Sequence, residues 1–137
     1  MSKISGTIVN HNSVYDGEID FEKTIKKIKK NKNSRGNNYI IPGFIDLHCH
    51  GGNGFDTMDG ADAIVAMSKY HLLHGTTSIM PTTWTNTFEN IFKSLDGFNI
   101  LKKNYSNILG VHLEGPFINP NKLGAQPDLT QKPSLKF

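Results

Sequence analysis

A chain of 137 residues, 36% hydrophobic and 20% charged, is long enough to bury a core and too apolar for the disordered class. A formal net charge of +3 is too small to argue for a polyanionic partner, so nucleic acid is not expected. The single cysteine excludes an internal disulfide, and neither an apolar leader core nor a membrane-spanning run is present, so a cytoplasmic protein without a membrane partner is expected.

Residues 1–40 read as short strands and turns of a small β domain. The segment "ISGTIV" suits a strand, and "YDGEI" carries an Asp16-Gly17 turn signal. The strongest charge bias is "EKTIKKIKKNKNSR", Glu22 to Arg35. Only Ile25 and Ile28 give it an apolar side, and no aromatic residue is interleaved with the lysines as a single-strand binder requires. It reads as a solvated face running into a basic loop, with "NKNSRGNN" the loop itself.

Residues 41–137 have a different rhythm. "YIIPGFIDLH" reads as one buried strand, despite Pro42-Gly43. "GADAIVAMSKYHLLHG" reads as a helix, with Ile64, Met67 and His71 on one stripe, Val65, Ser68 and Leu72 beside it, and Gly75 placed for the C-cap. "TTSIMPTT" is a second strand ending near Pro81. "NTFENIFKSLDGFNILKKN" is a second helix, with Phe88, Ile91, Phe92 and Leu95 at helical spacing, and "NILGVHLEG" is a third strand. Alternating strands and helices imply parallel βαβ units.

Strand alternation sorts the side chains. Leu109, Val111 and Leu113 share one face of the third strand; Gly110, His112 and Glu114 share the other. One apolar and one polar face suits a barrel better than a doubly wound sheet, where both faces are covered. In the first strand Asp46, His48 and His50 share one parity and Ile45, Leu47 and Cys49 the other. Cys49 is therefore expected to be a small core residue and not a nucleophile.

His48 and His50 project to the same side, roughly 6.5–7 Å apart along the strand, so two imidazoles can converge on one cation. Alone, such a pair also fits two partly exposed histidines at a strand end. Two features favour a metal: the pair sits at the carboxyl end of a barrel-like strand, and Glu114 sits at the matching end of the third. An inward glutamate is costly to bury unless it is paired or bound to a cation. After it, Gly115-Pro116 forces a turn and Gly124 allows close backbone approach, so the loop "GPFINPNKLGAQP" can bring Gln126 beside the metal. His112 lies one layer deeper, as a partner behind the metal ligands or as a hydrogen-bonded core histidine, the second being preferred. No function is assigned to His11, His71 or His74.

Together "PGFIDLHCHG", "HGTTSIMPT" and "GVHLEGPFINPNKLGAQ" resemble the N-terminal part of the amidohydrolase superfamily, most closely its N-acetylglucosamine-6-phosphate deacetylases. The resemblance covers most of residues 5–127. It implies an N-acetylated amino sugar phosphate as substrate, hydrolysed to acetate and glucosamine 6-phosphate. It also implies Glu114 as a metal ligand and His48 and His50 as a further metal position, with one or two divalent ions, zinc expected. Ala125 and Gln126 match substrate-contacting positions. Several relatives carry histidine where this chain has Gln126, and glutamine can donate a hydrogen bond to the acetamide oxygen but cannot carry an imidazolium charge. The acid/base aspartate and two more metal-binding histidines are expected beyond Phe137, so no catalytic residue is assigned within the chain.

The expected fold is therefore α/β: about the first three β/α units of a (β/α)8 TIM-type barrel, preceded by short strands of a small β-sandwich domain. A complete barrel needs about 250 residues, so this chain alone is expected to be inactive. A non-catalytic remnant, a split-enzyme subunit needing a complementing C-terminal chain, a homo-oligomer and a dihydroorotase-like hydrolase are the alternatives considered. "HLEGPFI" argues against the last.

Overall fold

In a computed structural model, which describes residues 1–31 and 38–135, the first hairpin closes at Asn10 and not at Asp16-Gly17. Strand β1 (Ser2–Asn10) pairs antiparallel with β2 (Ser13–Phe21). Asn10 Oδ1 accepts from the backbone N–H of Asn12 at 3.2 Å and of Ser13 at 3.0 Å, a side-chain turn that competes well with any Asp-Gly signal downstream. Asp16 and Gly17 lie inside β2. Asp16 accepts from Thr7 Oγ1 across the hairpin at 2.7 Å, and Gly17 faces Gly6. A cross-strand donor has thus displaced the turn.

Strand β3 (Ile25–Lys30) adds to the outer edge of β2, and β4 (Tyr39–Ile40) runs parallel to β1, giving the order β3-β2-β1-β4. The lysine-rich segment forms an exposed edge strand at Ile25–Lys30; of its expected loop, residues 31–38, the part at 32–37 lies outside the described residues. Lys29 Nζ lies 3.5 Å from Asp20, Lys26 Nζ 3.8 Å from Glu22, and Lys30 Nζ 4.9 Å from the Tyr15 ring centre. Lysines on an edge discourage further strand pairing. These elements form one unit, Met1–Pro42; the second unit is Gly43–Phe137.

The expected strand from Tyr39 to His48 is broken. Pro42 has no N–H to give a ladder, and β5 (Phe44–Cys49) begins a new sheet in the second unit. β5 pairs in parallel with β8 (Thr76–Pro81), and α1 (Ala61–Leu73) connects them. Before α1 come a two-stranded ribbon, β6 (Gly51–Gly52) with β7 (Phe55–Asp56), and a 3-10 turn at Thr57–Asp59. Ile64, Met67 and Ser68 on α1 are fully buried, as their spacing predicts. The first two pack with Cys49, Ile79, Leu101 and Ile108 as the core. No helix among the described residues is long and apolar enough to cross a membrane.

The second expected helix is two helices, α2 (Phe88–Ser94) and α3 (Phe98–Asn104), broken at Gly97, whose φ is 76°. The left-handed residue re-aims the chain so that Ile91 and Leu101 are both buried. Phe92, expected on the buried stripe, is exposed. The third expected strand is not a regular strand. Its segment runs parallel beside β8 and the residue after it through two bridges, Ile79 with Ile108 and Thr82 with His112, so three steps on one side match four on the other. That one-residue slip is bulge-like and resets the alternation. Ile108 is buried, while Leu109 and Leu113, expected on an apolar face, are exposed.

Candidate metal centre

Two threonines that follow β8 position the site. Thr82 holds the tip of β5 on both sides: its Oγ1 accepts from Cys49 N–H at 2.9 Å, and its N–H donates to Cys49 O at 2.8 Å. Thr83 Oγ1 accepts from Glu114 N–H at 3.2 Å. One "TT" pair thus fixes the strand that carries the histidines and the segment that carries the glutamate. Nothing in the periodicity of the sequence singles these threonines out; their position directly after a strand is the only signal.

His48 Nε2 lies 2.9 Å and His50 Nε2 3.1 Å from Glu114 Oε2, and the two nitrogens are 3.2 Å apart. One ligand atom from each residue falls within a 4.8 Å group. The His50 Nδ1 atom lies 3.1 Å from Thr82 O. A carbonyl only accepts, so Nδ1 carries the proton and a neutral His50 presents a lone pair at Nε2. That nitrogen cannot donate to Glu114. Glu114 Oε2 is buried between the two ring nitrogens, and with the Nε2 of His50 unprotonated only His48 Nε2 is left to carry a proton toward it. Glu114 Oε1, in contrast, accepts from Gln126 Nε2 at 2.7 Å. An orphaned carboxylate oxygen beside a nitrogen lone pair is repulsive unless a proton or a cation lies between them. Tetrahedral zinc at about 2.0–2.1 Å spaces its ligand atoms about 3.3 Å apart, and the three separations here are close to that. Two imidazoles and a carboxylate are also the ligand types that zinc-class ions take. The donor set fits a divalent cation.

Gln126 is more tightly held than its loop position implies. Its Oε1 accepts from Thr85 N–H at 2.7 Å while its amide N–H holds Glu114. Both ends of the amide are engaged, so it braces the carboxylate and leaves Oε2 as the presented oxygen. Ala125 beside it is exposed. The close backbone approach expected at Gly124 is absent: no atom lies within 4 Å of where its Cβ would be. His112 stands edge-on to His48, ring centres 4.5 Å apart, and its Nδ1 donates to Leu47 O at 3.1 Å. It packs beside the site as well as bonding the strand.

Cys49 is buried against α1, but Ile45 and Leu47, which share its parity in a strand expected to be buried, are exposed, and the ladder to β8 slips between Asp46 and Cys49. Burial, then the charge of Asp46, push the Cys49 thiol above the ordinary cysteine range, while a hydrogen bond with the backbone of Gly51 pulls the other way. His71 lies 3.3 Å from the sulfur but is itself 3.0 Å from Gly51 O, so its Nε2 donates to that carbonyl and does not serve as a base. His71, assigned no function from sequence, thus pins the backbone directly after His50. His74 Nδ1 donates to Tyr70 O at 2.9 Å, on the surface. A neutral, buried thiol is a poor nucleophile. Iodoacetamide at pH 7.5 is expected to label Cys49 at least about tenfold more slowly in the native chain than in urea; equal rates would contradict the burial and the raised pKa.

The sequence profile of the amidohydrolase family matches residues 39–136. The N-acetylglucosamine-6-phosphate deacetylase of Bacillus subtilis (strain 168) is 35% identical over 131 residues, covering 88% of this chain and 33% of its own length. That of Lysinibacillus sphaericus is 36% identical over 103 residues, covering 72% of this chain and 27% of its own. The crystal structure of the Thermotoga maritima deacetylase superposes with a TM-score of 0.86 at 29% identity, over 98% of this chain and 38% of that one. A Mycobacterium smegmatis deacetylase variant, solved with N-acetyl-D-glucosamine-6-phosphate, shares the fold with a TM-score of 0.78 at 21% identity, over 96% of this chain and 37% of its own. The chain spans about a third of the length of the curated relatives it matches. With a profile match over most of its residues, the chain belongs to the amidohydrolase family.

Proposed function

We propose that the chain is the N-terminal part of a metal-dependent deacetylase that hydrolyses N-acetylglucosamine 6-phosphate to glucosamine 6-phosphate and acetate. The observation that carries this reading is the convergence of His48 Nε2, His50 Nε2 and the buried Oε2 of Glu114 on one point, in a chain similar to such deacetylases over most of its length. The architecture proposed is the opening β/α units of a (β/α)8 barrel, residues 41–137, behind a small β domain, residues 1–40. The division at Pro42 and the parallel β5–β8 pair support it.

His48, His50 and Glu114 would hold the divalent ion, zinc in this reading, at one or both positions of a one- or two-metal site. Bound there, the ion supplies a Lewis acid that makes water nucleophilic near neutral pH and polarises an amide carbonyl. Glu114 presents a single oxygen because Gln126 occupies the other. Ala125 and Gln126 are the proposed substrate-facing positions, Gln126 offering the second N–H of the amide whose first is held by Glu114. The proton-transferring carboxylate comes from chain outside these residues. A complementing segment is supported by β5, which among the described residues pairs only with β8 and leaves Ile45 and Leu47 exposed on the face where Cys49 is buried. A single buried cysteine suits the cytoplasm.

Loaded with Zn²⁺, the 137-residue chain alone is expected to release no acetate from N-acetylglucosamine 6-phosphate. Substituted for the matching third of the Bacillus subtilis relative, it is expected to give a Zn²⁺-dependent deacetylase. A folded chimera without turnover overturns the assignment. Robust turnover by the chain alone overturns the view that the site is incomplete.

A further inference from the structure

His50 has a second neighbour besides Thr82 and Glu114. The indole of Trp84 lies flat on its imidazole, ring centres 3.7 Å apart and planes inclined by 17°. The indole is itself anchored: Nε1 donates to Asp56 Oδ2 at 3.0 Å. Asp56 in turn is fixed by a capping box. Its Oδ1 accepts from Met58 N–H at 2.8 Å, and its own N–H donates to Asp59 Oδ2 at 3.0 Å. A rigid turn, an indole and an imidazole thus form one stack that ends at the candidate ligand.

We propose that Trp84 is a positioning residue for the cation site, its anchored indole fixing the ring plane of His50 so that Nε2 is aimed at Glu114 Oε2. The inference rests on the metal centre proposed above. The hydrogen bond from Nδ1 to Thr82 O restrains one edge of the imidazole but allows the ring to rock about that line. A flat plate against one face removes the rocking. Aromatic stacking of this kind contributes beyond the area it buries, and groups that orient a metal-binding histidine are worth about 10–100-fold in metal affinity. The indole is held by Asp56 on one side and lies on the ring of His50 on the other, so its proposed effect on the cation runs through His50.

The test measures Zn²⁺ affinity of the full chain by competition with a chromogenic chelator. Trp84→Ala is expected to weaken binding about tenfold. Trp84→Phe keeps a flat ring on His50 and is expected to stay within about threefold of the unmutated chain. A residue needed only for folding would lower the thermal midpoint of both variants without this graded loss of affinity. Unchanged affinity in Trp84→Ala, or Trp84→Phe as weak as Trp84→Ala, overturns the proposal. Should Trp84→Ala not fold, the unmutated chain decides, because Trp84 is its only tryptophan. Its emission is expected to change saturably with Zn²⁺ at the midpoint that the chelator reports, and flat emission at Zn²⁺ saturation overturns the proposal. If the unmutated chain shows no saturable Zn²⁺ binding, the metal centre fails and this role fails with it. Tight binding that ignores Trp84 removes the positioning role alone.

Discussion

Replacing Glu114 by glutamine is expected to lower Zn²⁺ affinity by more than about 100-fold while leaving the metal-free chain as stable as before, or more so. Partners behind a metal ligand are worth about 10–100-fold, and a direct ligand should exceed that. Glu114 Oε2 is buried without a hydrogen bond and faces Nε2 of His48 at 2.9 Å and of His50 at 3.1 Å. Without a cation this oxygen is a cost to the fold, because it is out of water and faces the lone pair of His50. Glutamine removes the charge and can turn an N–H toward the lone pair of His50. A functional group retained at the expense of stability should behave in this opposed way. Chelator competition gives the affinity and a thermal melt the stability. Affinity within threefold of the unmutated chain would remove Glu114 from the ligand set.

Gly115→Ala is expected to cost about 2–5 kcal/mol of stability and to weaken metal binding as well. The φ of Gly115 is 72°, a left-handed conformation that costs an alanine about 1–2 kcal/mol. A Cβ built there would lie 2.1 Å from Thr85 Oγ1 and 2.9 Å from Thr85 Cα. The second atom is backbone and cannot rotate away, so the segment must shift, at a cost of about 1–3 kcal/mol. Any shift displaces Glu114, the preceding residue, and disturbs the Thr85 N–H that holds Gln126. Gly124→Ala is the control: its φ is 63°, but nothing lies within 4 Å of the added carbon, so only the conformational cost of about 1–2 kcal/mol remains. Urea unfolding at constant slope reports both. A Gly115 variant no worse than the Gly124 variant would contradict the close packing against Thr85.

Features with a short period were legible in the sequence. The alternation of β5 puts His48 and His50 on one side, and the helical stripe of α1 identifies Ile64 and Met67, both fully buried. Features set by a single backbone event were not. Gly97 reads as a tolerable residue inside a helix, yet at φ 76° it ends one helix and starts another. The slip around Gly110 leaves no trace in hydrophobicity, because a bulge changes register and not composition. Asp16-Gly17 failed as a turn because Thr7, nine residues away, supplied a better partner. The bracing of Glu114 was also hidden. Gln126 reaches it across a twelve-residue loop, and Thr83 across thirty-one residues, both separations fixed only by the fold. Trp84 gave no signal at all, since its meaning comes from His50, which the chain brings to it from β5.

X-ray absorption on the chain loaded with one equivalent of Zn²⁺ tests the central claim most directly. Two imidazole nitrogens and carboxylate or water oxygens at about 2.0–2.1 Å are expected, with no sulfur in the shell, and the imidazole signal should be lost from a His48→Ala, His50→Ala double variant. A sulfur ligand near 2.3 Å, or an imidazole signal that survives the double variant, would place the ion elsewhere and contradict the account.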